Sequence, residues 1–125
     1  MAKYAIVVMS EHSEGHPGGQ ARLLHALSAA KEFADAGEEV GVWFHGVGVA
    51  WLAAFDARYD QFTRNYAPLF DAVRGSIAGA CDFCARTRFG AAQAAEHLGV
   101  PIVGGDGQHH TVAALAAEGY QVFIF

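Results

Sequence analysis

Basic residues are scarce in this chain. Eight Lys and Arg stand against thirteen Asp and Glu, for a formal charge of −5, and the eight are scattered. Without a positive stripe there is no footprint for counter-ion release, which excludes nucleic acid as a partner. Long apolar runs are also missing: none approaches the ~20 residues of a membrane-spanning helix. The N-terminus carries one Lys before a short apolar run and no small-residue cleavage site, so a cytoplasmic protein without membrane contact is expected. Only two cysteines are present, too few for a disulfide framework. The loop after the first apolar run lacks GxxxxGK[ST], and Gly104 to Gly107 is not GxGxxG, so phosphate-cradle and dinucleotide sites are disfavoured. Charged residues make up 17% against 53% apolar, which excludes disorder and suits one compact domain over residues 1–125.

The apolar residues are ordered into alternating strands and helices. Tyr4 to Met9 is continuous and rich in β-branched residues, as a strand buried on both faces should be. Ser10 to Gly19 is dense in turn formers and reads as a loop. Leu23, Leu27, Ala30 and Ala34 recur at helical spacing, with Gly37 as the stop. Glu39 to Phe44 predicts the second strand, His45 to Gly48 a turn, and Val49 to Phe55 a short helix. Asp56 to Asn65 shows no period. Tyr66 to Arg74 predicts a helix with Pro68 in its first turn. Ser76 to Ala80 is the third strand, and helical spacing runs from Ala85 to Leu98 in one helix or two. Pro101 to Val103, a helix over Val112 to Ala116, and Tyr120 to Phe125 complete the pattern. The expected fold is therefore α/β: three layers, α/β/α, around a mainly parallel five-stranded sheet. Trp51, Phe55, Tyr59, Phe62, Tyr66 and Phe70 exceed what one small sheet needs and are candidates for a subunit interface.

Ligands of an open parallel sheet bind beyond the carboxyl ends of its strands. His12 and His16 follow strand one, His45 strand two, Cys81 and Cys84 strand three, and His109 and His110 strand four. Five of the seven histidines and both cysteines thus fall at one edge. Two cysteines three apart share a helix face, where they can bond to each other, share a metal, divide nucleophile and resolving roles, or simply pack as small apolar residues. A strand-to-helix junction is also where backbone N–H groups favour a thiolate at Cys81. Pro17, Gly18 and Gly19 precede the long helix and can offer N–H groups to a small anion.

The run Ala78 to Cys84, with Phe44 to Val49 closing strand two and a polar loop between strand one and a long helix, resembles the DsrE family of the DsrE/DsrF/TusD sulfur-relay proteins. The resemblance implies the DsrE/F-like fold, assembly into trimers or hexamers, and a cysteine after the third strand that carries sulfur as a persulfide between donor and acceptor proteins, without a cofactor. By position that cysteine is Cys81. The family's relay members depend on one cysteine there, whereas this chain adds Cys84, a resolving thiol that would attack a persulfide and release sulfide. In this reading His45, or a histidine of the loop after strand one, sets the protonation of Cys81, and His12, His16, Gly18, Gly19 and His109 line the substrate side. The competing expectations are zinc held by Cys81, Cys84, His12, His16 and His45, and an inert assembly subunit.

Overall fold

The computed structural model describes residues 2–12, 17–87, 90–105 and 110–125. Five strands form one sheet in the order β4-β3-β2-β1-β5, and every pairing is parallel. The strands are β1 (Lys3–Val8), β2 (Glu39–Phe44), β3 (Ile77–Cys81), β4 (Ile102–Val103) and β5 (Tyr120–Ile124). Six α-helices connect them: α1 (Pro17–Asp35), α2 (Ala50–Ala57), α3 (Gln61–Val73), α4 (Asp82–Thr87), α5 (Ala91–Leu98) and α6 (Val112–Ala117). The expected α/β layering is present, with a sheet that is wholly rather than mainly parallel.

Alternation along the strands sorts side chains into two layers. Ile6, Val8, Val42 and Phe44 pack with Leu23 and Leu27 of α1, Trp51 and Phe55 of α2, Phe70 of α3, Cys84 of α4 and Ala94 of α5. On the opposite face Ala5, Val7 and Trp43 meet Leu115 of α6. This asymmetry follows from the strand order. Steps from β1 to β2, β3 and β4 all run one way, so right-handed crossovers put their helices on one face; the return to β5 puts α6 on the other.

Three local expectations are corrected. Gly18 and Gly19 lie in the first turn of α1, not in a loop, because Pro17 can open a helix where no N–H is needed. The stretch without a period contains a helix start: Asp60 accepts from the Thr63 N–H at 2.7 Å and begins α3, which leaves Pro68 inside the helix. The aromatic group is mostly core, not interface. Trp51, Phe55 and Phe70 are buried, Phe62 is half-buried, and only Tyr59 and Tyr66 are exposed. The segment after Cys81 resolves into two helices, with Gly90 at φ 66° between them.

β3 carries one extra residue opposite β2. Val42 pairs with Ile77 but Trp43 pairs with Gly79, so Ala78 is bypassed. Gly79 suits this place, since a Cβ there would come within 2.7 Å of Val103. As a result Phe44 pairs with Ala80, one residue before Cys81. Without the shift Phe44 would fall beside Gly79.

The turn after β2 lies directly on the end of β1. A Cβ on Gly48 would run into the Val8 carbonyl, which already accepts the His45 N–H at 3.0 Å. Gly48→Ala should therefore destabilise the fold by about 1–3 kcal/mol or more. Gly75→Ala, where a Cβ meets nothing within 4 Å, should change stability by less than about 1 kcal/mol. Urea denaturation of both variants checks the contrast.

Candidate functional site

The carboxyl edge of the sheet gathers the chain's ionisable loop residues into two groups. The first is built on β2 and the approach to α6. His45 is buried, and its Nε2 lies 3.2 Å from Nδ1 of His110, the rings at 85°. His110 also stacks on Trp43, with centroids 6.1 Å apart. Burial holds His110 below the ordinary imidazole range, and the charge of Glu118 offsets this only in part. With His110 neutral, which of the two rings donates is set by their tautomers.

Cys81 ends β3 and Cys84 sits in the first turn of α4. Both are thiols packed into the five-helix side of the core, 1% and 4% exposed. Between them Asp82 is buried and ion-paired with Arg86, one turn on. The junction position expected for Cys81 is the one observed. At that depth the Cys81 thiol is closed to any reagent in solution until it is uncovered.

The second group ties the loop after β1 to the turn between α2 and α3. His12 Nε2 is 2.7 Å from Asp60 Oδ2, and His12 Nδ1 is 3.3 Å from the Tyr59 hydroxyl. The His12 ring also meets the edge of Trp51, whose Nε1–H donates to the Ser10 carbonyl at 2.9 Å. Burial alone would raise Asp60. Hydrogen bonds from the Thr63 N–H and hydroxyl and from His12 outweigh it and hold the carboxyl below its usual range. Arg58, which closes α2 before this turn, is among the described residues the non-glycine one at positive φ, 52°, and its Nη2 donates to both carboxylate oxygens of Asp71. Among the described residues, Ser10 Oγ is the buried side-chain polar atom without a hydrogen-bond partner.

The structure thus sets His45 against His110 and places His12 on Asp60. Gly18 and Gly19 stand at the start of α1, where Gly19 packs against the Glu11 carbonyl. His16 and His109 lie outside the described residues. His110, the neighbour of His109, is the ring that meets His45. The sequence alone points to neither Asp60 nor Ser10 as site residues and to Tyr59 only as an interface candidate; Asp60 followed by Thr63 is the signal that finds the first. Among the described residues no group of three or more His, Cys, Asp or Glu side chains is gathered to hold a metal ion, and His16 of the zinc set is not among them.

The two lowered groups predict the acid side of the stability curve. Each binds fewer protons folded than unfolded, so its contribution is complete above its ordinary value and is lost as pH falls through the folded value. Stability should decline first below 6.5, through His110, and again below 3.8, through Asp60. Asp60→Ala should cost about 1–2 kcal/mol at neutral pH, with the difference from wild type shrinking once Asp60 is protonated. Urea midpoints across pH measure both stages.

Compared with known proteins, the chain matches no family model, no curated protein and no solved structure, so its functional reading rests on the residues at this edge.

Proposed function

We propose that the chain is a sulfur-transfer or thiol-redox protein that works through Cys81, with Cys84 as the resolving thiol and His45 as the proton acceptor. The observation that carries this reading is the position of Cys81 at the carboxyl end of β3, with Cys84 in the first turn of the helix that follows and both thiols reduced. The DsrE resemblance of the same segment supports it, along with trimeric or hexameric assembly and donor and acceptor proteins as partners.

The chemistry balances without a cofactor. The Cys81 thiolate attacks the outer sulfur of a donor persulfide, giving a Cys81 persulfide and the donor thiolate. Cys84 then attacks Sγ of Cys81, forming the Cys81–Cys84 disulfide and expelling hydrosulfide. Sulfane sulfur is reduced by two electrons, the two thiols are oxidised, and an external thiol must restore them. With Cys84 absent, the persulfide has no internal route to reduction and should persist.

Intact mass spectrometry after incubation with a sulfane-sulfur donor tests the reading. Wild type should lose two hydrogens and release sulfide, Cys84→Ser should retain one added sulfur after denaturation, and Cys81→Ser should retain none. An increment seen only under native conditions and lost with either mutation would make the site a zinc site instead. Thiols that stay unmodified and resist alkylation until the protein unfolds would leave an inert assembly subunit.

A further inference from the structure

The two edges of the sheet differ. At one, β4 is two residues long and runs into Gly104 and Gly105. At the other, β5 runs five residues, Tyr120–Ile124, in unbroken register with β1. It contains no charge, proline or glycine, so none of the usual devices blunts it.

Backbone directions on β5 follow from its end. Phe125 donates its N–H to the Val7 carbonyl at 2.9 Å and accepts from the Met9 and Ser10 N–H groups. Alternation then turns Phe123 and Gln121 toward β1, and the N–H and C=O of Tyr120, Val122 and Ile124 toward the open edge. β5 ends the sheet, and among the described residues none pairs with this row. Apolar side chains flank it: Phe123 is 42% and Ile124 55% exposed. Phe123 leans on Tyr4 and Phe33, and Tyr120 on Trp43, so the apolar surface reaches around both faces.

We propose that this edge is a seam between two copies of the chain, with β5 paired antiparallel to β5 of a second copy about a two-fold axis at Val122. In that register Val122 faces its own copy and Tyr120 faces Ile124 of the second copy. All three residues direct their backbone groups outward, so every donor of one edge meets an acceptor of the other. A slip of two residues leaves groups unmet, and a slip of one sets outward groups against inward ones. The electrostatic match is therefore specific to one register and is self-complementary, and no like charges oppose across it. An isologous pair also consumes the edge and stops, whereas a heterologous use would leave it open to further chains. The inference is independent of the thiol chemistry, and of the two assemblies that the resemblance implies it fits the hexamer and not the trimer.

Light scattering over a dilution series, with circular dichroism to confirm folding, tests it. Wild type should have twice the 13.2 kDa chain mass, or an even multiple of it. Val122→Pro removes an outward N–H that β1 does not use, and Ile124→Lys adds charge at an exposed edge position. Each should halve the mass at concentrations where wild type is paired, and amide exchange should become fast at residue 124 in both variants and at Val122 in the lysine variant. Should the proline variant fail to fold, the lysine variant decides. A monomer at every concentration, an odd-numbered assembly, or a mass unchanged by the edge substitutions would overturn the proposal.

Discussion

A strand buried on both faces and hydrogen-bonded along both edges has nowhere to slip, and β1 is that strand. Ala5, Ile6, Val7 and Val8 are wholly buried, and β2 and β5 run parallel to them in continuous register. A shift of one residue would turn Ile6 and Val8 out of the five-helix layer and Ala5 and Val7 into it. Everything at the carboxyl edge is measured from this strand. Its Val8 carbonyl fixes the backbone of His45, the close approach of Gly48 fixes the turn beyond, and the loop that follows places Ser10 and His12.

The site is built by a second constraint acting on the first. The residue bypassed in β3 changes which residues of β2 and β3 stand opposite one another, so a local irregularity in pairing decides that Phe44 meets Ala80 at the carboxyl edge. Bulges near functional positions re-aim side chains in this way. The two histidine groups then have different characters. His45 and His110 meet ring to ring in a part-buried space. His12 has both ring nitrogens engaged by the turn between α2 and α3, which suits holding a loop in place.

The element order and the parallel sheet were legible because they depend on properties of single segments: β-branched apolar runs, helical spacing of Leu and Ala, and glycine at the stops. Strand-end placement of His45 and Cys81 followed from the same reading. What the sequence could not reveal depends on relations between segments. The bypassed Ala78 is an ordinary residue in an ordinary strand, and only pairing with β2 makes it an extra one. Asp60 lay in a stretch without a period, because a helix whose start is set by a cap shows no apolar rhythm there. Trp51, Phe55 and Phe70 were read as surplus to one sheet, but the sheet carries five helices on one face, and their mutual packing absorbs the rings.

The neighbours of β1 also bear on how the chain reaches this state. β2 follows one helix later, but β5 comes after every other element in chain order, so its pairing closes the longest loop in the fold. Contacts of that separation are the slow ones to form, because loop closure must precede them. During synthesis β1, β2 and α1 emerge together while one side of the most apolar strand still waits for its partner. The growing chain passes through a stage in which Ala5 to Val8 offers an unpaired edge to any other chain nearby. Rapid completion of β5, or shielding until it arrives, then decides the yield of folded protein.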